Sequence, residues 1–297
     1  MDTRIRIVVH NGTFHADDVF AVASLLRVLE SKPVEVRVVR TRDEKMIEEA
    51  DFVVDVGAVY NPERERFDHH QPGGAGEREN GVPYAAFGLV WKKYGATIAG
   101  SVEAASFVDR VLVQPIDYGD NSGSPLSEFV PGVYPYTIDR IVSVFDKTFL
   151  EPERDTDEQF FKLVGFAKEI IIREVAEAHA LAEARKYVED AYSKSVDKRI
   201  VVLEKKTPWY HVIQDKPETL FIVFPDGDSG RWGVSAVRKG MYDFSNRKDF
   251  PFEWAGKRDE DLARVSGVDD AVFCHRRLFF AVAGSKEGAL ALAQKAV

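Results

Sequence analysis

The sequence predicts an α/β protein with a larger N-terminal domain and a smaller C-terminal mixed α/β domain. In the first part of the chain, strand-like apolar runs are followed by polar loops and helical segments. Residues 157–193 keep the three-four spacing of an amphipathic helix throughout, which predicts one long connecting helix. Strand-like runs then return with turn residues between them. We therefore assign residues 1–195, which include this helix, and residues 196–297 to two domains.

The first predicted unit is a strand at residues 4–9, a polar loop, and a helix at residues 19–29. The loop contains His10, His15 and Asp17. In an open α/β sheet the ligands bind outside the carboxyl ends of the strands, and this loop follows such an end. A helix cap would explain one Asp but neither His. These residues are therefore predicted to be functional.

Two more strands are predicted at residues 33–39 and 52–57, and together with the first they indicate a mostly parallel sheet with flanking helices. Asp55 follows the apolar run of the third strand, where it is either a turn cap or a ligand. A hairpin at residues 60–67 then leads into Asp68, His69 and His70. Alone, this trio would suit a solvated turn. Beside the other imidazoles and carboxylates it predicts a site.

Helices are predicted at residues 84–94 and 103–114, and Pro115 and Gly119 are predicted to end the second. Asp117 lies in the segment that follows. It is either a turn residue or one more metal ligand, and the company of the other carboxylates favours the ligand.

The C-terminal part is predicted to contain five strands and a final helix at residues 286–296. The strands are expected at residues 199–203, 220–224, 232–237, 271–274 and 278–282. Cys274 and His275 are adjacent near the end of the fourth strand. Without a third partner, they indicate a packed cysteine beside a pocket-facing histidine rather than a catalytic nucleophile.

Composition narrows the classes of function. The chain has 45% hydrophobic residues and a net charge of −9, and the acidic excess lies in residues 1–195, where clustered carboxylates invite divalent cations. No apolar run approaches the roughly 20 residues that span a bilayer, so no membrane partner is expected. The single cysteine excludes an intrachain disulfide and predicts a cytoplasmic protein.

Several motifs resemble a known family. Residues 10–18, 54–57 and 67–71 are similar to the exonuclease family named for the melanocyte proliferating gene, within the DHH phosphoesterase superfamily of two-metal hydrolases. Residues 247–251, 254–259 and 273–275 are similar to the same family. The resemblance implies a DHH-type first domain and a substrate-binding second domain. It departs from the superfamily pattern at His15, where an Asp is usual, and in a thin glycine-rich loop at residues 283–285.

The resemblance implies two divalent ions, which would clamp the attacking and leaving oxygens of a phosphoester. We expect Asp55 to bridge them, with terminal ligands from His15, Asp17, His69 and Asp117. Whether His10 also ligates is left open. A shell of imidazoles and carboxylates suits Mn²⁺, our preferred ion, while Mg²⁺, Co²⁺ or Zn²⁺ are alternatives.

A water activated by both ions would be the nucleophile. Asp55, Asp68 and His70 are the predicted catalytic residues, with His70 facing the scissile phosphate and Asp68 orienting it. The resemblance also implies a set of substrate-binding residues. Besides His70, they are Arg238, Arg247, His275, Arg276, Gly284 and Ser285.

The preferred function is a metal-dependent phosphodiesterase, a 3′–5′ RNA exonuclease or small-RNA hydrolase, although the direction of action is left open. Its expected partner is RNA or a nucleotide. A small-molecule phosphohydrolase that acts on pyrophosphate or a dinucleotide is the alternative. A non-catalytic metal-binding or nucleic-acid-binding protein is a second alternative. The long helix also leaves room for a homodimer.

Overall fold

The protein is described from a computed structural model that covers residues 4–122, 127–227, 229–240, 243 and 245–297. The chain divides into two compact units, residues 1–179 and 180–297. The division falls inside the long helix rather than at its C-terminal end. The functional domains predicted at residues 1–195 and 196–297 stay a prediction.

The described residues of the first unit form five strands, and a π-helical turn interrupts its helices. The strands are β1 (Arg4–Val9), β2 (Glu35–Arg40), β3 (Phe52–Val54), β4 (Tyr60–Asn61) and β5 (Arg66–Phe67). The helices are α1 (Ala16–Leu29), α2 (Glu44–Glu48), α3 (Ala86–Ala99), α4 (Val102–Val108), α5 (Gln114–Ser122), α6 (Ile138–Ser143) and α7 (Thr156–Lys194), which continues into the second unit. A 3₁₀ turn lies at Pro62–Arg64 and the π-helical turn at Asp109–Val113.

The first sheet has the order β2-β1-β3-β5-β4, and only β4 runs antiparallel to its neighbour. The buried end of β1 is apolar on both faces, since Ile7, Val8 and Val9 are all fully buried. The helices α1 and α3 pack beside each other, and the ring of Phe20 on α1 lies 5.3 Å from that of Phe87 on α3. This confirms the predicted α/β class with a mostly parallel sheet. The parallel strands β1, β3 and β5 end at one edge, so the residues that follow them come together there.

The predicted helix end at Pro115 and Gly119 is wrong, because helix continues from Val102 to Ser122. Proline lacks an N–H, and its ring clashes with the carbonyl four residues earlier in a regular helix. Here the π-helical turn precedes it, and the Gln114 N–H bonds to the Asp109 carbonyl five residues back. We infer that this wider turn accommodates Pro115. The next carboxylates of the chain therefore lie on a helix and not in a loop.

The second unit contains a five-stranded mixed sheet with the order β6-β7-β8-β10-β9. Only β6 and β7 are parallel. Its strands are β6 (Ile200–Val202), β7 (Phe221–Pro225), β8 (Trp232–Ala236), β9 (Ala271–Cys274) and β10 (Phe280–Ala283), and its helices are α8 (Tyr210–Ile213), α9 (Asp259–Ser266) and α10 (Lys286–Ala296). A 3₁₀ turn lies at Phe252–Trp254.

Both faces of this second sheet are covered. Phe221 and Val223 on one face share a core with Leu292 of α10, whereas Ile222 on the other face packs with Val188 of α7. This matches the mixed α/β arrangement predicted for the C-terminal part. Within the described part of the chain, no helix combines the length and the apolar content needed to cross a lipid bilayer.

Candidate metal centre

His10 follows directly after β1 and is buried at the edge of the first sheet. Its Nε2 atom lies 2.8 Å from Asp18 Oδ2 and 3.2 Å from Asp55 Oδ2. Its Nδ1 atom lies 3.2 Å from the Asn11 carbonyl oxygen. The strand thus delivers one imidazole into a group of carboxylates.

Asp55 follows β3 and stands at the centre of this group. Its backbone is left-handed, with φ of 52°, a conformation that Asp and Asn adopt more readily than most residues with a Cβ. Its Oδ1 atom lies 3.2 Å from His69 Nε2 and 3.3 Å from His70 Nδ1, while Oδ2 faces His10. Asp55 therefore contacts three of the imidazoles that the sequence predicts for the site.

His69 and His70 follow β5 and have different surroundings. His69 is buried, whereas the side chain of His70 is 61% exposed. Asp68 Oδ1 accepts hydrogen bonds from the backbone N–H of His70 at 3.0 Å and lies 2.9 Å from His70 Nδ1. Asp68 Oδ2 accepts from the Ala58 N–H at 2.6 Å. Asp68 thus fixes one side of the His70 ring and leaves Nε2 on the other side.

The start of α1 brings His15, Asp17 and Asp18 to the same edge. His15 is the exposed N-cap residue, and its backbone N–H donates to Asp18 Oδ1 at 3.1 Å. Asp17 is fully buried, and its Oδ2 accepts from the Ala86 N–H at the start of α3 at 3.3 Å. The same oxygen lies 3.7 Å from His69 Nε2. The first loop and the Asp-His-His segment therefore meet, as the sequence predicts.

Asp117 does not join these groups in the structure. Its Oδ1 accepts from the Gly88 N–H at 2.9 Å, and its Oδ2 lies 2.9 Å from Arg78 Nη2. A Cβ on Gly88 would fall 1.8 Å from Asp117 Oδ2, so only glycine permits this approach. Asp120, one helical turn further along α5, instead lies 3.3 Å from His69 Nε2. The structure thus places Asp120 rather than Asp117 beside His69, and the ligand role of Asp117 stays a prediction.

The carboxylates have strongly shifted pKa values. Burial alone would raise the pKa of Asp55, but the close contacts with His10, His69 and His70 outweigh burial and lower it. Burial and then repulsion from Asp55 raise the pKa of Asp17 well above its ordinary value. Burial also raises the pKa of Asp120. The negative charge of the clustered carboxylates therefore exceeds the positive charge that the neighbouring imidazoles can supply.

The pKa values of two imidazoles, His10 and His70, are raised as well. Burial lowers the pKa of His10, but the contacts with Asp18 and Asp55 outweigh burial and raise it to about 10. The Asp55 contact raises the pKa of His70, against the opposing effect of burial, to about 9. A cluster that binds protons this tightly is strongly anionic, and a divalent cation can take the place of those protons.

The residues present fit a divalent metal. Among the described residues, Asp17 Oδ1, Asp55 Oδ1 and His69 Nε2 are buried with no hydrogen-bond partner, although the latter two lie close to each other. Buried polar atoms of this kind are rare in folded proteins unless a ligand satisfies them. The described residues contain three sets of side chains whose ligand atoms lie within 4.8 Å of one another inside each set. The sets are His10, His15 and Asp55; Asp55, His69 and His70; and His15, Asp17 and Asp120.

The predicted substrate-binding residues other than His70 lie in the second unit. The Arg247 guanidinium donates to four backbone carbonyls, of Lys216 at 2.5 Å, Thr219 at 3.0 Å, Gln214 at 3.1 Å and Ile213 at 3.3 Å. Ser285 is the N-cap of α10, where its Oγ accepts from the Gly288 N–H and donates to Asp270. These contacts hold the fold of the second unit together.

The remaining predicted substrate-binding residues are His275, Arg276, Gly284 and Arg238. His275 Nδ1 accepts from the Arg277 N–H at 3.1 Å, and Arg276 and Gly284 are exposed. The backbone of Arg238 forms an isolated bridge with Asn246. The substrate role of all these residues, Arg247 and Ser285 included, stays a prediction.

Sequence reasoning missed two residues of the cluster, Asp18 and Asp120. The Asp17-Asp18 pair was visible in the sequence, but only the fold shows that Asp18 meets His10. A continuous helix through Pro115 was the signal needed for Asp120, because it places residues 117 and 120 on neighbouring faces.

Together, the α/β fold and the buried cluster define a protein with a candidate metal site at the strand ends of a mostly parallel sheet. Residues 6–297 match the model of MYG1 exonuclease, described as “Uncharacterised protein family (UPF0160)”. The chain belongs to this family, as its motifs indicated.

Individual relatives agree with this assignment. The chain is 33% identical to the MYG1 exonuclease of Rattus norvegicus, over 97% of this chain and 84% of the relative. It is 32% identical to that of Homo sapiens, over 97% and 85%. The MYG1 protein of Chlamydia trachomatis is 27% identical, over 94% and 91%. Family and cluster together make the chain a metal-dependent hydrolase.

Among solved structures, the exonuclease RecJ bound to manganese aligns with 98% of this chain and 89% of its own chain. The sequence identity is 15% and the TM-score 0.27.

Proposed function

We propose that this hydrolase is a phosphodiesterase that removes nucleotides from the 3′ end of RNA, using two divalent ions held by the cluster. The observation that carries the proposal is the position of Asp55. Its carboxylate belongs to two of the three ligand sets, and its two oxygens face different imidazoles, His10 on one side and His69 and His70 on the other. A carboxylate shared in this way is what a pair of ions requires.

One ion would be held by His10, His15 and Asp55, and the other by Asp55, Asp17, His69 and Asp120. In this scheme Asp120 takes the position that the sequence suggested for Asp117. Divalent ions bound here would supply Lewis acidity and lower the pKa of a bound water, which yields a nucleophile near neutral pH.

His70 is the residue that faces the substrate in this scheme. Its Nδ1 is held by Asp68 and Asp55, and its exposed ring leaves Nε2 available to solvent. We propose that Nε2 donates a hydrogen bond to a non-bridging oxygen of the scissile phosphate. The buried Asp68 keeps the ring in this orientation through its second bond, to the Ala58 N–H.

Mn²⁺ is the proposed ion because the donor set mixes imidazoles with carboxylates. Mg²⁺ prefers oxygen ligands and its own waters, whereas Mn²⁺ accepts both nitrogen and oxygen. A nucleic acid is the proposed substrate because the rat and human relatives carry the name exonuclease. RNA is our choice because the resemblance of the motifs implies it. We further propose that residues 196–297 contribute substrate contacts, that the enzyme acts in the cytoplasm, and that α7 supports a homodimer.

The Asp55→Asn variant tests the proposal. Asn tolerates the left-handed backbone at this position, so the variant should fold while losing one negative charge between the two ligand sets. Asp43→Asn is the matched control, because Asp43 is an exposed N-cap of α2 and Asn caps a helix equally well. Both proteins would be assayed with Mn²⁺ and 3′- or 5′-labelled RNA of several lengths.

We expect mononucleotide release by wild type and Asp43→Asn and none by Asp55→Asn. Full activity of Asp55→Asn would overturn the scheme. Parallel assays with pyrophosphate and with linear and cyclic dinucleotides separate the alternatives. Hydrolysis of those compounds without RNA cleavage would show a small-molecule phosphohydrolase. Metal binding with no hydrolysis of any phosphoester would show a non-catalytic protein.

A further inference from the structure

Asn121 lies near the C-terminal end of α5, next to Asp120, and its side-chain amide has two partners. Its Nδ2 donates to the Asp117 carbonyl oxygen, one helical turn earlier, at 2.9 Å. Its Oδ1 lies 3.3 Å from His69 Nδ1. The carboxylate of Asp117 is itself held by the Gly88 N–H and Arg78, which anchors this part of α5. The amide of Asn121 is thus attached to a fixed backbone.

These two contacts determine which nitrogen of His69 carries the proton. An amide NH₂ can only donate and a carbonyl oxygen can only accept, so the bond to Asp117 turns the Asn121 oxygen toward His69. Nδ1 of His69 must then be the donor, and in the neutral ring Nε2 keeps the lone pair. Nε2 is the nitrogen that lies 3.2 Å from Asp55 and 3.3 Å from Asp120.

We propose that Asn121 is a positioning residue that sets the tautomer of His69, so that Nε2 is free to bind a divalent cation. The proposal rests on the metal role of His69 in the proposed function. Asn121 would hold the ring from behind, while Asp55, Asp17 and Asp120 complete the site in front. Partners of this kind commonly change metal affinity by about 10–100-fold when they are removed.

The test uses two variants of the full chain and a matched control. Asn121→Leu has a similar shape but no acceptor for His69 and no donor for Asp117. Asn121→Asp keeps an acceptor for Nδ1–H and loses the donor. Asn80→Leu makes the same chemical change at an exposed position, where the amide bonds to Gln114. Thermal unfolding of all the proteins without metal establishes that they are folded.

The first readout is ¹⁵N–¹H correlation spectroscopy of histidine-labelled protein loaded with diamagnetic Zn²⁺. We expect the His69 proton on Nδ1 in wild type, Asn80→Leu and Asn121→Asp. In Asn121→Leu we expect His69 no longer to populate this tautomer alone. The second readout is Mn²⁺ affinity, from the free-ion signal in electron paramagnetic resonance. We expect Mn²⁺ to bind about 10-fold or more weakly than in wild type, and only in Asn121→Leu.

An Asn121→Leu protein with the proton still on Nδ1 and Mn²⁺ affinity within twofold of wild type would overturn the proposal. A His69 proton on Nε2 in the Zn²⁺-loaded wild type would also overturn it. Neither readout involves RNA, so the two proposals fail separately. Wild type that binds neither Zn²⁺ nor Mn²⁺ would refute the proposed function, whereas wild-type binding with an unaffected variant would refute only the role of Asn121.

Discussion

In the first unit, carboxylates and imidazoles are buried against one another at the strand ends, and several of their atoms have no hydrogen-bond partner among the described residues. In the second unit, Arg247 and Ser285 have most of their hydrogen-bonding groups satisfied by their own neighbourhood. Both sets looked functional as sequence. This difference shows that a buried polar atom without a hydrogen-bond partner marks a ligand site better than a polar side chain whose hydrogen bonds are satisfied. The reason is that a native fold rarely leaves buried polar groups unpaired.

The largest effect is expected from a substitution at Asp17, in the buried cluster of the first unit. Asp17→Asn removes a buried carboxylate that the scheme assigns to metal, so we expect Mn²⁺-dependent RNA hydrolysis to fall at least about 100-fold. Burial and Asp55 raise the folded-state pKa of Asp17. Such a shift weakens the fold above the unfolded pKa and has no effect below it.

Without metal, Asp17→Asn should therefore raise the melting temperature at pH 7.5, by roughly 2 °C or more, and leave it unchanged near pH 3. Calorimetry at the two pH values measures the shift, with Asp43→Asn as the control. A variant that is less stable than wild type at pH 7.5, or fully active, would contradict the comparison.

Cys274 supplies the second prediction, because burial raises its pKa to about 12. At pH 9 only about 1 in 1,000 of its thiols would be ionised in the folded protein, against more than half in the unfolded chain. We expect alkylation by iodoacetamide at pH 9 to be roughly 100-fold slower or more in the folded protein. Mass spectrometry of the Cys274 peptide measures this rate. Fast labelling of the native protein would instead support the alternative that Cys274 is a nucleophile beside His275.

The third prediction concerns Arg247. Lysine cannot reproduce a planar guanidinium that donates to four carbonyls, so Arg247→Lys should lower the free energy of unfolding by about 2 kcal/mol. If the guanidinium serves the fold alone, the kcat and KM of the folded variant should stay within about twofold of wild type. Urea unfolding and steady-state kinetics measure the two effects, and exposed Arg231→Lys is the control. A raised KM with unchanged stability would make Arg247 a substrate residue after all.

The smallest effect is expected at Ser285. Ser285→Ala removes the N-cap of α10 and the hydrogen bond to Asp270, which should cost about 1 kcal/mol in the free energy of unfolding. Hydrolysis should be unaffected if the hydroxyl serves the fold alone. Ser285→Thr retains a capping hydroxyl and should recover most of the lost stability in the same urea titration. A large loss of activity in both variants would place this turn at the substrate.

Much of the fold was readable from the sequence because strand and helix periods are local. The runs that became β1, β3, β7 and α7 were predicted within a few residues, and Asp55 and His69 were expected together because parallel strands end at one edge. The limits of prediction were tertiary. Pro115 reads as a helix breaker in any local scheme, so Asp120 and Asn121 could not be placed on a helix.

Asp117 shows the same limit from another side. As sequence it was one carboxylate among several, and nothing marked Arg78 or Gly88 as its partners. The packing of α3 against α5 decides that Asp117 is held by Arg78 and the Gly88 N–H, and that Asp120 faces His69. Contacts between residues about 30 to 50 positions apart are set by the fold and leave little trace in a local pattern.

The π-helical turn before Pro115 makes the cluster sensitive to chain length. Removing one residue from Asp109–Val113 would replace the wide turn with regular α-helix, in which the ring of Pro115 clashes with the carbonyl four residues earlier. The helix would then break or kink at this point. Asp120 and Asn121 would then lose the continuous helix that places them beside His69, although every side chain of the cluster was still encoded. In this chain, the number of residues between Asp109 and Asp120 therefore matters to the candidate metal centre as much as the identity of its proposed ligands.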